Sequence, residues 1–536
     1  MTARGASPMV RAMVVVCGSS ATAVVLGFVK NAMAAYYFDC SGEMDSYLIA
    51  LLLPDTVMQL ARTGAFNFIP LFGAARERSE AEAWQAAGKM VTFWLLLLTV
   101  ILALALFTAP AAMPLLAPGF SGAGRRETLE LTRVLLLMAA SLGAGRILAV
   151  VLHAQKRFVV AGASEVLFQV GSMAFVVAFQ RVGIAALAWS QVFGGCLQLL
   201  LCALALLPHR RQLRAGVDLA SAPMRKLMRL SLPVYLADSG DKVNQMVGRS
   251  FASFLPTGAV SSLQYAYFPV EGIHRMLASS LFTALFPFLA NLFSQSDRKK
   301  ERASLSQAIV SSTALFLPLT AVVWLLADPL VALMFQRGSF DAASTARTAS
   351  ALRLFAPSIF ALALNELLGS AFHARQDTIT PMWAGFVRIA CHIALCMALI
   401  PVLGYGGLAL SATLALYVKL GMLAWLFRRV FAPGEARRML REVTQIALAV
   451  GAMVAVLYPL AALGSSFHAI QGHVVLSLAA GGTLCLVAYT VALRLFARRQ
   501  FLVHAAGARR AMGWPRPARR TRPVPFPVPG VQAVAA

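Results

Sequence analysis

Apolar stretches long enough to cross a bilayer recur along the whole chain, and this feature most limits how the chain can fold. Each runs for about 20 residues, the length at which a helix spans a hydrocarbon core of about 30 Å. Only 13% of the 536 residues are charged, against about 25% in soluble domains. No segment alternates in polarity as barrel strands do. The sequence therefore predicts an all-α integral membrane protein.

Apolar windows separated by polar breaks predict about 14 transmembrane helices. The first apolar run continues without a small-residue cleavage site, so we predict an uncleaved first span rather than a secretory signal. The predicted spans lie near residues 10–37, 45–73, 88–117, 130–153, 158–179, 183–207, 228–252, 259–293, 305–333, 346–372, 380–402, 404–427, 441–463 and 472–496.

The net charge of +25 follows the loops instead of forming one patch. Alternate loops hold basic clusters, such as 210–214, 298–302 and 428–441, and the last cluster spans 498–522. The intervening loops hold only Arg125, Arg126, Arg133, Arg181, Arg337 and Arg347. This bias predicts a multi-pass protein with both termini in the cytoplasm. The charge is therefore explained by topology, and no nucleic-acid partner is predicted.

Short motifs recur at an offset of about 220 residues. His153-Ala-Gln-Lys matches His373-Ala-Arg-Gln, and Arg146 matches Glu366. Several matches in the same order predict two parallel six-helix repeats around a central cavity, which is a transporter architecture. The predicted divisions are an N-lobe over 1–210, a C-lobe over 211–430, two extra C-terminal helices over 431–500, and a disordered basic Pro/Arg-rich cytoplasmic tail over 501–536.

Charged residues inside predicted spans concentrate in spans 1, 2, 7 and 8, the opening pairs of the two repeats. Each such charge costs about 2.5 to 3.5 kcal/mol near the bilayer centre, so it needs a reason to be there. We expect the set to face the cleft. The alternatives are that Asp45 caps a helix, that Asp241 and Lys242 form a local pair, and that Glu271 and Arg275 neutralise each other four residues apart.

Sequence motifs for catalysis or cofactor binding are absent. The chain has no GxxxxGK[ST], HExxH or GxSxG motif and no Gly-rich dinucleotide loop. Its seven cysteines form no CxxC pair, and His274 and His392 are lone histidines, which are more often packed or hydrogen-bonded than metal-bound. We predict no enzyme activity, no cofactor and no metal. A membrane-embedded transferase is the enzyme alternative.

Several motifs resemble those of a known family. Leu53-Pro54-Asp55 with Phe68-Ile-Pro70, Phe335-Gln-Arg-Gly-Ser-Phe340, and Arg375-Gln-Asp-Thr378 are similar, in the same order, to segments of the MurJ/MviN lipid II flippases of the MOP exporter superfamily. The resemblance covers roughly residues 20–430. It implies a bacterial inner-membrane flippase for cell-wall biogenesis, one that moves the undecaprenyl-pyrophosphate-linked peptidoglycan precursor from the cytoplasmic to the periplasmic leaflet by alternating access.

The chain departs from the family pattern at several cavity cations. Val24 and Phe268 stand where the family has arginines, and Lys30-Asn31 stands where it has an Arg-Asp pair. The positive charges lie at other positions along the same helices. The alternative is therefore a MATE-like or polysaccharide-type exporter of another substrate. The predicted substrate-binding residues are Lys30, Asp45, Arg62, Glu271 and Arg275, and the predicted coupling or cavity residues are Asp55, Asp238, Asp241 and Lys242. The predicted partners are a lipid-linked glycan, membrane lipids, and a coupling ion or the membrane potential. The protein is predicted to be a monomer.

Overall fold

The computed structural model describes residues 25–66, 68–213, 215–216, 240–279, 281–282, 298–431, 433–464 and 474–497, together with residues 22 and 225. These residues form helices joined by short links, and they contain no strand. The predicted all-α class is confirmed.

The helices of the first half are α1 (25–38), α2 (Gly42–Ala50), α3 (Leu52–Phe66), α4 (Phe68–Arg78), α5 (Glu80–Leu116), α6 (Gly122–Ala154), α7 (Phe158–Phe179) and α8 (Ile184–Leu206). The second half contains α9 (240–252), α10 (Ala259–Ile273), α11 (Arg298–Leu325), α12 (Ala327–Phe335), α13 (Ala342–Phe355), α14 (Ser358–Ala374), α15 (Ile379–Leu403) and α16 (Tyr405–Phe427). Two last helices follow, α17 (Pro433–Gly464) and α18 (Val474–Phe496).

Ten helical segments among the described residues are long and apolar enough to cross a membrane. They correspond to predicted spans 3 to 6 and 9 to 14. Spans 2 and 8, two of the four in which predicted site residues lie, differ in form from these ten. Span 2 is divided among α2, α3 and α4, and α10 continues into a π-helical turn, His274–Ser279. The total of 14 spans stays a prediction.

The helices pack as two bundles with an addition. In the first half, α6 packs against α3, α5 and α8, and α7 packs on α8. In the second half, α14 packs against α11 and α16, α15 packs on α16, and α10 packs on α13. Helices α17 and α18 pack on each other and on α11 through small apolar clusters around Ile446, Met453 and Leu493. The lobe boundaries at 210 and 430 stay predictions.

Backbone conformation repeats at the offset that the motifs predict. Lys156 has φ 64° and Gln376 has φ 63°, and both follow the His-containing ends of α6 and α14. Left-handed φ is uncommon in residues other than glycine, so its recurrence 220 positions apart is a strong sign of a repeated turn. The repeat also has a difference, because α6 is continuous where α13 and α14 are separated near Pro357.

Candidate functional site

Lys30 points from α1 into the first bundle. Its Nζ donates a hydrogen bond to the Gln191 side-chain oxygen on α8 at 3.2 Å, and it lies 4.9 Å from the centre of the Phe168 ring on α7. Asp55 on α3 and Arg146 on α6 are within electrostatic range of it. Both direct contacts of Lys30 are therefore with neutral groups. We call Lys30, Asp55, Arg146 and Gln191 the N-lobe cluster.

A second group of charges lies in the other bundle. Arg388 on α15 donates to the Asp241 carboxylate on α9 at 2.6 Å. The Arg388 side chain is 12% exposed, whereas the Asp241 side chain is 74% exposed, so the carboxylate lies at an accessible surface. Lys419 on α16 and His274 are within electrostatic range of Asp241. We call Asp241, His274, Glu366, Arg388 and Lys419 the C-lobe cluster.

The end of α10 adds two further pairs. Arg275 donates to Glu271 at 2.5 Å, as their spacing of four residues permits. The Arg275 side chain is 66% exposed. His274 lies 3.5 Å from the Glu366 carboxylate, which brings the π-helical turn against α14.

Asp45 occupies a different place from the one expected for a partner of cavity cations. It is 3% exposed, and its carboxylate accepts hydrogen bonds from the Gly258 N–H at 2.6 Å and from the Ser261 N–H and hydroxyl at 2.7 Å each. These donors form the N-terminus of α10, where a carboxylate is favoured by unpaired N–H groups and by the helix dipole. Asp45 on α2 is thus a cap for a helix of the other bundle.

Other contacts between the bundles lie at the same end of the molecule. The Ser339 N–H donates to the Tyr36 carbonyl at 2.9 Å, and the Gly119 N–H donates to the Ser253 hydroxyl at 3.0 Å. Gly258 has φ 86°, and a Cβ there would collide with the Cys40 carbonyl. We call the end formed by residues 36–41, 117–121, 253–261 and 336–341 the closed end.

Arg249 joins both bundles next to that end. Its guanidinium donates to the Leu48 carbonyl at 2.6 Å and to the Gln264 side-chain oxygen at 2.9 Å. Like Lys30, it is held by neutral acceptors. Arg249 therefore points inward, where it links α9 to α2 and α10.

The remaining predicted site residues make fewer described contacts. Lys242 lies 3.4 Å from the Gln245 side-chain oxygen on its own helix. Arg62 belongs to α3, and its side chain lies outside the described residues, as does Asp238. The direct contacts therefore place Lys30, Asp45 and Glu271–Arg275 at three separate locations.

Sequence reasoning missed four charged residues that the structure brings into the clusters. These residues lie outside the four spans that hold the predicted site residues, and they are Arg146 in α6, Glu366 in α14, Arg388 in α15 and Lys419 in α16. Each of them is a charged residue inside an apolar span. They would have been found if every such charge, in every predicted span, had been treated as a candidate site residue. His392 was expected to be packed or hydrogen-bonded, and it is 1% exposed with its Nδ1 3.0 Å from Asn244 Oδ1.

Within the described segments, no group of three or more histidine, cysteine or acidic residues is arranged to hold a metal ion. The chemistry available to both clusters is electrostatic. Cations and carboxylates inside helical bundles can bind and release charged groups, and they interact more strongly there than in water.

Comparison with known proteins identifies the family of this chain. The family model described as "Lipid II flippase MurJ" matches residues 34–498. The chain belongs to this family. A lipid II flippase MurJ of Burkholderia cenocepacia is 26% identical over 424 residues, covering 75% of this chain and 80% of the relative. A probable lipid II flippase MurJ of Rhizobium meliloti is 26% identical over 471 residues, covering 84% and 86%.

Solved structures show the same fold. A lipid II flippase MurJ in an inward closed conformation matches with a TM-score of 0.74 and 18% identity, covering 91% of this chain and 99% of that one. An inward-facing multidrug resistance MATE transporter of the MOP superfamily matches with a TM-score of 0.61 and 15% identity, covering 76% and 94%. The MurJ family is one of membrane transporters, so the chain is a multi-pass transport protein and not an enzyme.

Proposed function

We propose that this chain moves a polyprenyl-pyrophosphate-linked glycan, lipid II, from the cytoplasmic to the periplasmic leaflet of the bacterial inner membrane. Family membership and the activity for which its relatives are named support this assignment. Peptidoglycan synthesis is the process that consumes such a lipid. The chain would need no cofactor for this, because translocation breaks no bond in the substrate.

The observation that carries the proposal is the environment of Lys30. A pyrophosphate must leave water to cross the membrane, and cations held in a low-dielectric cavity compensate its charge better than surface cations do. Lys30 bonds to a neutral amide and lies against an aromatic ring, and Arg146 is in range. A headgroup arriving there would displace a neutral acceptor and would not have to separate an ion pair.

We assign the closed end to the periplasmic side. The loop-by-loop charge bias predicts cytoplasmic termini, and an odd number of crossings then carries the chain to Gly258. The cavity would open toward the cytoplasm in this state. Opening to the periplasmic side would require the Asp45 carboxylate to leave the α10 N-terminus. This cap would therefore act as a latch, a contact that must break before the closed end can open.

Glu271 and Arg275 remain part of the proposed site in a different role. Arg275 is largely exposed and already paired. We propose that substrate exchanges this partner, with the headgroup taking Arg275 from Glu271. Arg62, on α3, would complete the set of cations that bind the headgroup. Asp55 and Lys242 would adjust the net charge around that site.

Depletion of the protein followed by analysis of polyprenyl-linked lipids tests the function. We expect lipid II to accumulate, with its headgroup protected from a periplasmic probe. Re-expression of the wild-type chain should reverse this, whereas a variant with Lys30→Gln should not. Accumulation of a different polyprenyl-linked glycan would favour a polysaccharide-type exporter, and unchanged lipids with altered drug efflux would favour a MATE-like one.

A further inference from the structure

A cavity of about 120 Å³ lies at one end of the first bundle, where four segments of the chain meet. The end of α4 contributes Arg76, and the start of α5 contributes Glu80 and Trp84. The link after α6 contributes Gln155 and Arg157. The turn after α8 completes the wall with His209. We call this cavity the N-lobe corner.

The floor of the N-lobe corner is aromatic and fixed. Trp84 is 3% exposed, and its ring stacks on the His209 imidazole with centroids 4.2 Å apart and an angle of 18°. The His209 Nε2 lies 3.5 Å from a guanidinium nitrogen of Arg157, and Nδ1 lies 3.2 Å from Gln212 Oε1. Because a guanidinium only donates, the contact with Arg157 is a hydrogen bond in which Nε2 is the acceptor.

The walls of the N-lobe corner present more donors than acceptors. Arg157 donates to the Ala205 carbonyl at 3.2 Å and contacts His209 through a second nitrogen, and the side chains of Arg157 and Arg76 are both exposed. The Gln155 Nε2 atom is buried without a hydrogen-bond partner, which is rare for a buried donor. Glu80 is the one carboxylate among the lining residues. Two guanidiniums and an unused amide donor form a set that suits a small anion.

In the second lobe, side chains of the protein itself fill the equivalent corner. Arg375, at an offset of 220 from Gln155, forms an ion pair with Glu301 near the start of α11. Its guanidinium also lies 5.1 Å from the centre of the Phe427 ring, which stands 218 residues after His209. An internal carboxylate therefore satisfies the cation in the C-lobe. In the N-lobe corner, the carboxylate Glu80 and the arginines line an open cavity instead.

We propose that the N-lobe corner binds the phosphate group of an anionic membrane phospholipid. Arginine forks bind phosphate oxygens in bidentate geometry, and basic pockets at helix ends take anionic headgroups at the level where tryptophan also concentrates. The corner is separate from Lys30, which lies between α1, α7 and α8. The proposal therefore does not depend on which substrate is transported.

Thermal stability of the purified full-length protein in mixed micelles tests this site. Titration with phosphatidylglycerol should raise the unfolding midpoint, and titration with phosphatidylcholine should not. Arg157→Gln and Arg76→Gln should each weaken the apparent affinity for phosphatidylglycerol about tenfold, the loss expected for one charge-assisted hydrogen bond. Each variant is compared with its own midpoint in phosphatidylcholine, which removes any effect on basal stability.

Lys156→Gln provides the matched control. Lys156 is an exposed cation between Gln155 and Arg157 that does not line the cavity, and the second lobe has glutamine with the same left-handed backbone at the equivalent position. This variant should keep the full response. Stabilisation by inorganic phosphate alone, lost in Arg157→Gln, would support the same site with a soluble occupant. An equal loss in Lys156→Gln, or no loss in both arginine variants, would overturn the proposal in favour of diffuse surface charge.

Discussion

Lys30 in the first lobe and two arginines in the second lobe are held in different ways. In the first lobe, Lys30 donates to the neutral amide of Gln191. In the second lobe, Arg388 and Arg275 each donate to a carboxylate, Asp241 and Glu271. An anion that approaches the second lobe competes with a charged partner, whereas at Lys30 it displaces a neutral one. The partner of each cation therefore determines how readily the cation can exchange that partner for a substrate.

The largest expected effect comes from removing the first-lobe cation. Lys30→Gln should abolish complementation of a depleted strain while leaving normal protein abundance, because losing the ammonium group also removes the cost of keeping a charge inside the bundle. The loss of charge-assisted bonds, each worth about 1.5 to 3 kcal/mol, would weaken headgroup binding by tenfold or more. Lys30→Arg tests whether charge alone suffices. Arg388→Gln is the comparison in the second lobe and should retain more transport; equal loss in both variants would remove the distinction between the lobes.

The helical class, the long apolar helices and the repeated turn could be predicted because each leaves a pattern in the sequence. The length of an apolar run fixes the span, and an offset of 220 relates Lys156 to Gln376 before their shared backbone conformation is known. The partners of Asp45 could not be predicted, because its cap belongs to a helix more than 200 residues away. Lys30 was identified as a candidate cation, but its neutral surroundings depend on how α1 packs against α7 and α8.

A second prediction concerns the contact that joins the lobes. Asp45→Ala removes three hydrogen bonds at the α10 N-terminus, and loss of a helix cap costs about 0.5 to 2 kcal/mol. We expect the closed end to open more often. Ser262, near the start of α10, is 2% exposed. In a background without native cysteines, Ser262→Cys should react several-fold faster with a membrane-impermeant maleimide applied from outside.

Asp39→Asn is the control for this labelling experiment. Asp39 lies at the same end, it has φ 49°, and asparagine tolerates that conformation. This variant should leave the labelling rate unchanged. If Asp45→Ala also leaves the rate unchanged, the Asp45 cap is not a latch between the lobes.

A smaller effect on stability is expected from the ion pair at the end of α10. Glu271 and Arg275 are four residues apart and substantially exposed, so their coupling should be about 0.3 to 0.5 kcal/mol. If Arg275 binds the headgroup, Arg275→Ala should lose transport with normal abundance, and adding Glu271→Gln should not restore it. Restoration of both transport and abundance by the second change would instead identify the pair as scaffolding of the second lobe.

The smallest effect is local and pH-dependent, and it compares equivalent helix starts in the two lobes. Ser121 precedes α6 and makes no side-chain cap, whereas Asp341, at an offset of 220, accepts a hydrogen bond from the Ser344 N–H at 2.7 Å. The hydrogen bonds from Ser344 lower the pKa of the Asp341 carboxyl. A lowered folded-state pKa means that the stabilisation is fully present above the ordinary pKa of an aspartate and is lost as the pH falls through the folded value.

Hydrogen exchange at the start of α13 should therefore stay slow from neutral pH down to mildly acidic pH, once corrected for intrinsic rates, and should accelerate below that range. Asp341→Asn should remove the pH dependence, and the start of α6 should show none in either protein. A matching acceleration at α6 would mean that acid loosens both lobes together, so that the charged cap would not explain the difference between them.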